Sequence, residues 1–274
     1  MLDYHVHLHR GPYTAEWLGR FLDAAGAAGA AGVSELGVVE HFYLFEESRS
    51  ILANDYTAGK GPRCLADFLR FIGRAKASGL PVKIGLEVDY VPERERELAA
   101  ALADLPLDFV IGSVHWLGEW GFDLDAASWE GRSVEAVYRR YYDTLAGAAE
   151  SGLFDVIGHP GNIGFFGHRP PAPVLEEVEG RFLDRARRLA VCLEVSTGGL
   201  LRPCGELFPR TPFLGRIVEA GLPVMISSDA HRPEEVGHAF PAAHALLGQL
   251  GAKETVGFNL RQRESVPLTA FPSH

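Results

Sequence analysis

The chain has 274 residues, 47% of them hydrophobic and 23% charged, a globular composition that excludes disordered, collagen-like and coiled-coil architectures. Acidic side chains outnumber basic ones by 36 to 26, a formal charge of -10 that argues against a general binder of nucleic acid or anionic membranes. The three cysteines form no Cys-x-x-Cys pair, no apolar run approaches the roughly 18 residues of a membrane span, and Met1–His5 lacks the basic-then-apolar pattern of a secretory signal, so a soluble cytoplasmic protein is expected.

Taken in chain order, Leu2–Val6 is the first strand candidate, followed by a helical face made of Leu18, Phe21, Leu22 and Ala25. The Ala- and Gly-rich stretch Ala24–Gly32 reads as a helix end packed closely on a sheet. Leu36–Val39 is the second strand. After it comes a long connection, Phe42–Arg63, and then a helical stripe of Leu65, Phe68, Leu69 and Ile72. Val82–Val88 and Asp108–Gly112 are the third and fourth strands, and Trp116–Arg132 is a second long connection. Phe154–Gly158 is the fifth strand. Leu175, Val178, Phe182, Leu183 and Ala186 form a helix after Pro170-Pro171, and Val191–Val195 is the sixth strand. Thr211-Pro212 reads as an N-cap with proline at the first helical position, Gly221 as the stop of that helix, and Pro223–Ser227 as the seventh strand. The strands are continuous apolar runs, as expected when both faces are covered. Seven βα units without a composition break predict one parallel α/β domain over residues 1–274, as a barrel or an open sheet. The tail beyond Asn259 carries no functional signal.

Chemistry collects at the strand ends. The first strand closes on Asp3-Tyr4-His5-Val6-His7, where a two-residue spacing puts both imidazoles on one face. Glu40-His41, Glu87-Val88-Asp89, Ser113-Val114-His115, Gly158-His159 and Ser228-Asp229-Ala230-His231 stand at or just beyond the ends of other strands. In parallel α/β folds those ends share one rim, where ligands bind. A single histidine at a strand end is ordinarily a satisfied polar residue; six coincident placements point to a metal cluster. Imidazoles and carboxylates without thiolates suit Zn, Mn or Fe, and the number of ligands implies two or three divalent ions.

This set resembles the PHP family, named for polymerase and histidinol phosphatase. Asp3-x-His5-x-His7, Glu40-His41, Gly85-Leu86-Glu87, Gly112-Ser113-Val114-His115, Gly158-His159 and Ser228-Asp229-Ala230-His231 follow its motif order across nearly the whole chain. Phe166-Gly167-His168-Arg169 and the run from Ala230 to Gly237 resemble its histidinol-phosphatase branch. The resemblance implies a distorted TIM-like (β/α)7 barrel with a trinuclear metal centre at the C-terminal ends of the strands. It implies that His5, His7, Glu87 and Asp229 hold one ion, with Glu87 bridging to a second held by His115 and His159. His41 and His231 then hold a third, completed by His9. The segment after His7 is short, and Glu40 stands where the family commonly has Asp. The implied activity is hydrolysis of a small phosphorylated metabolite, L-histidinol phosphate, with neither nucleic acid nor membrane as partner.

Arg169 and Arg202, on loops after the fifth and sixth strands, are expected to grip the phosphate with their guanidinium forks, with His168 beside them. Asp229 and His231 are the candidates to protonate the leaving group. Rim aromatics Tyr43, Phe45, Trp116, Trp120, Phe165 and Phe166 offer faces for an imidazole, and Glu119, Asp123 and Asp125 offer carboxylates for an ammonium. His238, His244 and His274 are expected to play no catalytic part. Three other readings share parts of the pattern. One is a different PHP phosphoesterase, such as a nucleotide phosphatase or nuclease. The second is a metal-dependent amidohydrolase, whose bridging lysine has no counterpart at a strand end here. The third is a metal-binding module without activity.

Overall fold

Seven parallel strands alternate with helices along the computed structural model, which describes residues 1–27, 32–61 and 63–268. His274 and part of the Ala24–Gly32 stretch lie outside the described residues. The strands are β1 (Leu2–His7), β2 (Glu35–Val39), β3 (Val82–Asp89), β4 (Phe109–Ser113), β5 (Val156–Ile157), β6 (Cys192–Ser196) and β7 (Val224–Ser227). They lie side by side in chain order. The helices are α1 (Ala15–Ala27), α2 (Leu65–Ala77), α3 (Glu95–Leu102), α4 (Val134–Ser151), α5 (Ala172–Leu189), α6 (Thr211–Glu219) and α7 (Phe240–Leu250). Beyond the end of β7, Ala230 meets β1 through His7 N–H to its carbonyl at 2.8 Å and its own N–H to the His5 carbonyl at 3.1 Å. The result is a nearly closed, TIM-like (β/α)7 barrel, as expected, and this contact decides between the barrel and the open sheet. None of its described helices is long and apolar enough to cross a membrane.

The expected helical stripes face the barrel: Leu18, Phe21 and Ala25 of α1, Phe68 and Ile72 of α2, and Phe182 and Ala186 of α5 are buried. Inside the barrel a second apolar cluster fills the N-terminal half, formed by Tyr4, Val39, Phe109, Ile111, Val156, Cys192 and Met225 with Val256 and Phe258 from below. Phe109 is its centre, stacked on Tyr4 with ring centroids 5.2 Å apart. Its ring lies so close to β2 and β3 that a Cβ at Gly37 or Gly85 would come within 2.7 or 2.6 Å of it. The register of β1 shifts between Asp3 and Val6. That irregularity lets Tyr4 join this floor while His5, its immediate neighbour, joins the ligand layer above.

The floor is underpinned by an element absent from the expected set. Glu254–Asn259 (β8) and Gln262–Pro267 (β9) form an antiparallel hairpin beneath the barrel. Its turn residues, Leu260 and Arg261, both adopt positive φ, 48° and 64°. Such a turn is ordinarily signalled by Asn-Gly or Asp-Gly, so this one has no sequence mark. The turn is tied to the strand entries: Leu260 and Arg261 N–H groups donate to Asp108, and the Arg261 guanidinium pairs with Asp155. Thr211 is the first residue of α6 and makes no cap, so the expected N-cap role is corrected; Arg210 precedes it. The two long connections are structured. Phe42–Arg63 holds two 3-10 turns and one α-helical turn at Asp55–Ala58. Trp116–Arg132 holds a small hairpin and the 3-10 turn Ala126–Trp129.

Because Phe109 leaves no room over β3, Gly85→Ala is expected to destabilise the protein by about 1–3 kcal/mol, the usual cost of overpacking. Combining it with Phe109→Leu should recover part of the loss. Urea unfolding of the two single variants and the double variant measures both; strict additivity would disprove the clash.

Candidate metal centre

Above the aromatic floor the barrel interior turns polar within one turn of side chains. Glu87, near the end of β3, is 1% exposed and stands at the centre. Its Oε2 lies 3.3 Å from His5 Nε2, 3.4 Å from His7 Nε2 and 2.6 Å from His41 Nδ1. Its Oε1 lies 3.4 Å from His115 Nε2 and 2.9 Å from His159 Nε2, and accepts from Ser113 Oγ at 2.8 Å. Burial alone pushes the Glu87 carboxyl up, but the imidazoles of His41, His5 and His115 hold it well below the usual carboxylate range. Asp229 faces the same layer, Oδ1 3.6 Å from the Nε2 atoms of both His5 and His7. Burial is overcome there too, chiefly by His5 and His231, and Asp229 stays ionised. Burial drives His41 down to about 4 against the pull of Glu87, and His231 well below its ordinary value.

A ring of carboxylates behind the histidines aims them. Glu194 Oε1 sits 2.6 Å from His5 Nδ1, Asp89 Oδ1 2.9 Å from His115 Nδ1, and Glu40 Oε2 3.0 Å from His9 Nδ1. The backbone carbonyl of Asp229 is 3.0 Å from His231 Nδ1. A proton donated from each Nδ1 fixes the tautomer and leaves Nε2 free as a ligand. Glu194 was not anticipated. It also accepts from Ser227 Oγ and the His159 N–H, both at 2.5 Å, and so joins β1, β5 and β7. Its one signal is a lone carboxylate in the apolar run Cys192-Leu193-Glu194-Val195. Asp3 pins the Ser228–Gly237 segment to β1, accepting from Ser228 N–H at 2.9 Å, Ser228 Oγ at 2.6 Å and Gly237 N–H at 3.0 Å. His159 and Asp229 take positive φ, 27° and 51°, which concentrates backbone strain at ligand positions.

These residues fit divalent metal ions. His5 Nε2, both His7 ring nitrogens and Glu87 Oε2 are buried without a hydrogen-bond partner, a costly state for polar atoms that a cation among them relieves. Among the described residues three groups hold potential ligand atoms within 4.8 Å of one another: His7, His9, His41 and His231; His5, His7 and Glu87; and His41, Glu87 and His115. All nine residues expected as ligands line one layer or its rim.

A cavity of about 210 Å³ opens above them, lined by His9, His41, His115, His159, Asp229 and His231 together with Arg202, Arg10 and Asp123. Arg202 points into it, Nη2 3.2 Å from Asp229 Oδ2. Arg169, the other expected fork, is not in the lining. Its guanidinium is bound to Tyr138 Oη at 2.9 Å, the Gly164 carbonyl at 3.1 Å and Glu206 at 2.8 Å. His168 is likewise turned aside, stacked on Trp129 with centroids 4.6 Å apart. Of the rim aromatics, Tyr43, Trp116 and Phe165 line the cavity, whereas Phe45 is fully buried in the core and Trp120 lies under Arg132. Asp125 caps its own 3-10 turn through Ala127 N–H, and neither it nor Glu119 lines the cavity. His238 and His244 are absent from the lining as well.

The PHP domain model matches residues 3–198, so it stops short of Asp229 and His231, which β7 delivers. A probable histidinol-phosphatase of Deinococcus radiodurans is 38% identical over 190 residues, covering 69% of this chain and 72% of that one. The histidinol-phosphatase of Bacillus subtilis is 28% identical over 182 residues, covering 60% and 68%. A structure of histidinol phosphate phosphatase from Lactococcus lactis, complexed with zinc, L-histidinol and phosphate, superposes with a TM-score of 0.77 at 21% identity, covering 96% of this chain and 98% of that one.

Glu194→Ala strips the partner from two buried donors and one imidazole, and is expected to cost about 3 kcal/mol of stability. Denaturant unfolding tests this; a loss under about 1 kcal/mol, the level of an ordinary surface change, would show that Glu194 is not a brace.

Proposed function

The chain belongs to the PHP family, and from that premise we propose that it is a metal-dependent phosphomonoesterase that hydrolyses L-histidinol phosphate to L-histidinol and phosphate. The observation that carries this reading is Glu87, one carboxylate shared between five imidazoles, with the Arg202 fork at the cavity beside them. The name of the 38%-identical relative supports the substrate. The assigned ligands are His5, His7, Glu87 and Asp229 for one ion, Glu87, His115 and His159 for a second, and His9, His41 and His231 for a third. Two or three divalent ions (Zn, Mn or Fe) held there would lower the pKa of water towards neutrality and supply positive charge for phosphoryl oxygens.

The chain's own residues do the rest. Arg202 donates two N–H groups to the phosphoryl oxygens, an interaction that strengthens as charge gathers on them. Water adds to phosphorus in line and the P–O bond to the alcohol breaks. Asp229, with one oxygen towards His5 and His7 and the other towards Arg202, takes a proton from the water at Oδ2 and returns it to the leaving oxygen, with His231 beside it. Glu194, Glu40 and Asp89 hold the rings of His5, His9 and His115 in place throughout. On this reading the enzyme works on a small cytoplasmic metabolite, with residues 1–274 as one catalytic unit.

Phosphate release from L-histidinol phosphate is expected to exceed that from an aryl phosphate by orders of magnitude in kcat/KM, because the organic part positions the phosphoryl group. Equal rates on unrelated monoesters would remove the substrate assignment. Glu87→Gln should lower the metal content measured on the purified protein and abolish activity, since the amide cannot bridge two cations. Arg202→Ala should cost about 2–4 kcal/mol in kcat/KM with metal content unchanged. Arg169→Ala should act instead through a lowered unfolding midpoint.

A further inference from the structure

We propose that Asp123 is the specificity-determining residue of this site, the carboxylate that receives the substrate's ammonium group and so selects an amino-alcohol phosphate over its deaminated counterpart. The inference rests on the phosphatase reading above and adds what discriminates within it.

Asp123 stands apart from the other acidic groups around the cavity. Glu87, Glu194, Asp89 and Glu40 are each engaged by imidazoles, and Asp229 by imidazoles and Arg202. Asp123 lines the same cavity, and among the described residues its side chain is met by Asn162 Nδ2, at 3.4 Å, and by its own backbone N–H, with no cation paired to it. Burial raises its pKa, and His115 and His159 offset this only in part. A half-buried carboxylate in that position gains strongly from a cation, because the low dielectric magnifies the attraction and the desolvation is already met by the fold.

The loop holds this carboxylate still. Phe122, its neighbour, is fully buried against Tyr141, with ring centroids 5.6 Å apart. The Phe122 carbonyl accepts from Trp129 Nε1 at 2.8 Å, and its N–H donates to the His115 carbonyl at 3.3 Å. Asp123 is therefore fixed relative to a ligand histidine, as a specificity group needs to be. The flanking wall is aromatic. Tyr43, Tyr56 and Trp116 line the cavity with ring centroids 5.6 to 6.4 Å apart, offering faces to a cation or a planar heterocycle. Arg202 and Arg10 carry the positive charge of the cavity and repel an ammonium. The cavity thus offers both signs of charge, arginine for a phosphate and Asp123 for an ammonium.

The test uses the metal-loaded enzyme and two esters, L-histidinol phosphate and 3-(imidazol-4-yl)propyl phosphate, which lacks only the amino group. Asp123→Asn is expected to lower kcat/KM on the amino ester about 10- to 100-fold, the range a charge-assisted hydrogen bond supplies. On the deaminated ester, wild type and variant should agree within about threefold, since that substrate offers no charged donor to lose. Binding of L-histidinol, followed by calorimetry, should weaken in parallel, and metal content should not change. Asp123→Ala repeats the measurement without an amide that could substitute as an acceptor. Equal losses on both esters, unweakened L-histidinol binding or a fall in bound metal would overturn the proposal, the last by making Asp123 a ligand. A wild-type enzyme that cleaves neither ester would overturn the phosphatase reading itself, and this proposal with it.

Discussion

A single buried carboxylate carries the organisation of this protein. Glu87 is held below the usual carboxylate range in the barrel interior because imidazoles converge on it, and two of those imidazoles, His5 and His115, are held in turn by Glu194 and Asp89 at their outward nitrogens. Neither tier is stable by itself. Unpaired ring nitrogens facing one another are a standing electrostatic debt, which divalent cations discharge, so metal affinity and folding free energy are linked through the same atoms. The strands must meet in register to within a fraction of an ångström for this to work. The rigid lower half of the barrel, built round Phe109, supplies that tolerance.

The division of labour between the two halves follows side-chain chemistry. Below, close-packed aromatic and aliphatic groups set the spacing of the strands, and two glycines give way so that one phenyl ring can sit at the axis. Above, the same strands end in polar residues whose geometry is inherited from that spacing. Loops contribute little to this layer, since six of the seven assigned histidines, His5, His7, His9, His41, His115 and His159, stand at or within two residues of a strand end. The seventh, His231, lies four residues past β7, its Nδ1 held by the Asp229 carbonyl.

Most of the barrel and the ligands were legible in the chain because both depend on local patterns. Continuous apolar runs announce strands covered on two faces, and a ligand-type residue at each strand end survives an error of one residue in the boundary. What was not legible depends on distances across the fold. Glu194 is one carboxylate in an apolar strand, and nothing adjacent in sequence says that His5, Ser227 and His159 meet it. Arg169 follows a strand in the same manner as Arg202, yet Tyr138, Gly164 and Glu206 draw it out of the site, and those three come from separate segments. The β8–β9 hairpin turns on two non-glycine residues in the left-handed region, so the usual dipeptide signal is missing. The irregularity in β1 is invisible too, because Tyr4 and His5 would alternate faces in a regular strand.

The hairpin under the barrel has a consequence for traffic. With Val256 and Phe258 packed under the aromatic floor, the described residues close the barrel from below and leave the cavity open above. Whatever is cleaved at the ligand layer must leave by the way it entered, past Asp123 and the tyrosine and tryptophan wall. A two-part molecule anchored by its phosphate at the bottom then departs in order, the alcohol from the outer position first and the phosphate last. Free phosphate, left alone at the bottom, competes directly with incoming ester, whereas the alcohol blocks only the outer chamber.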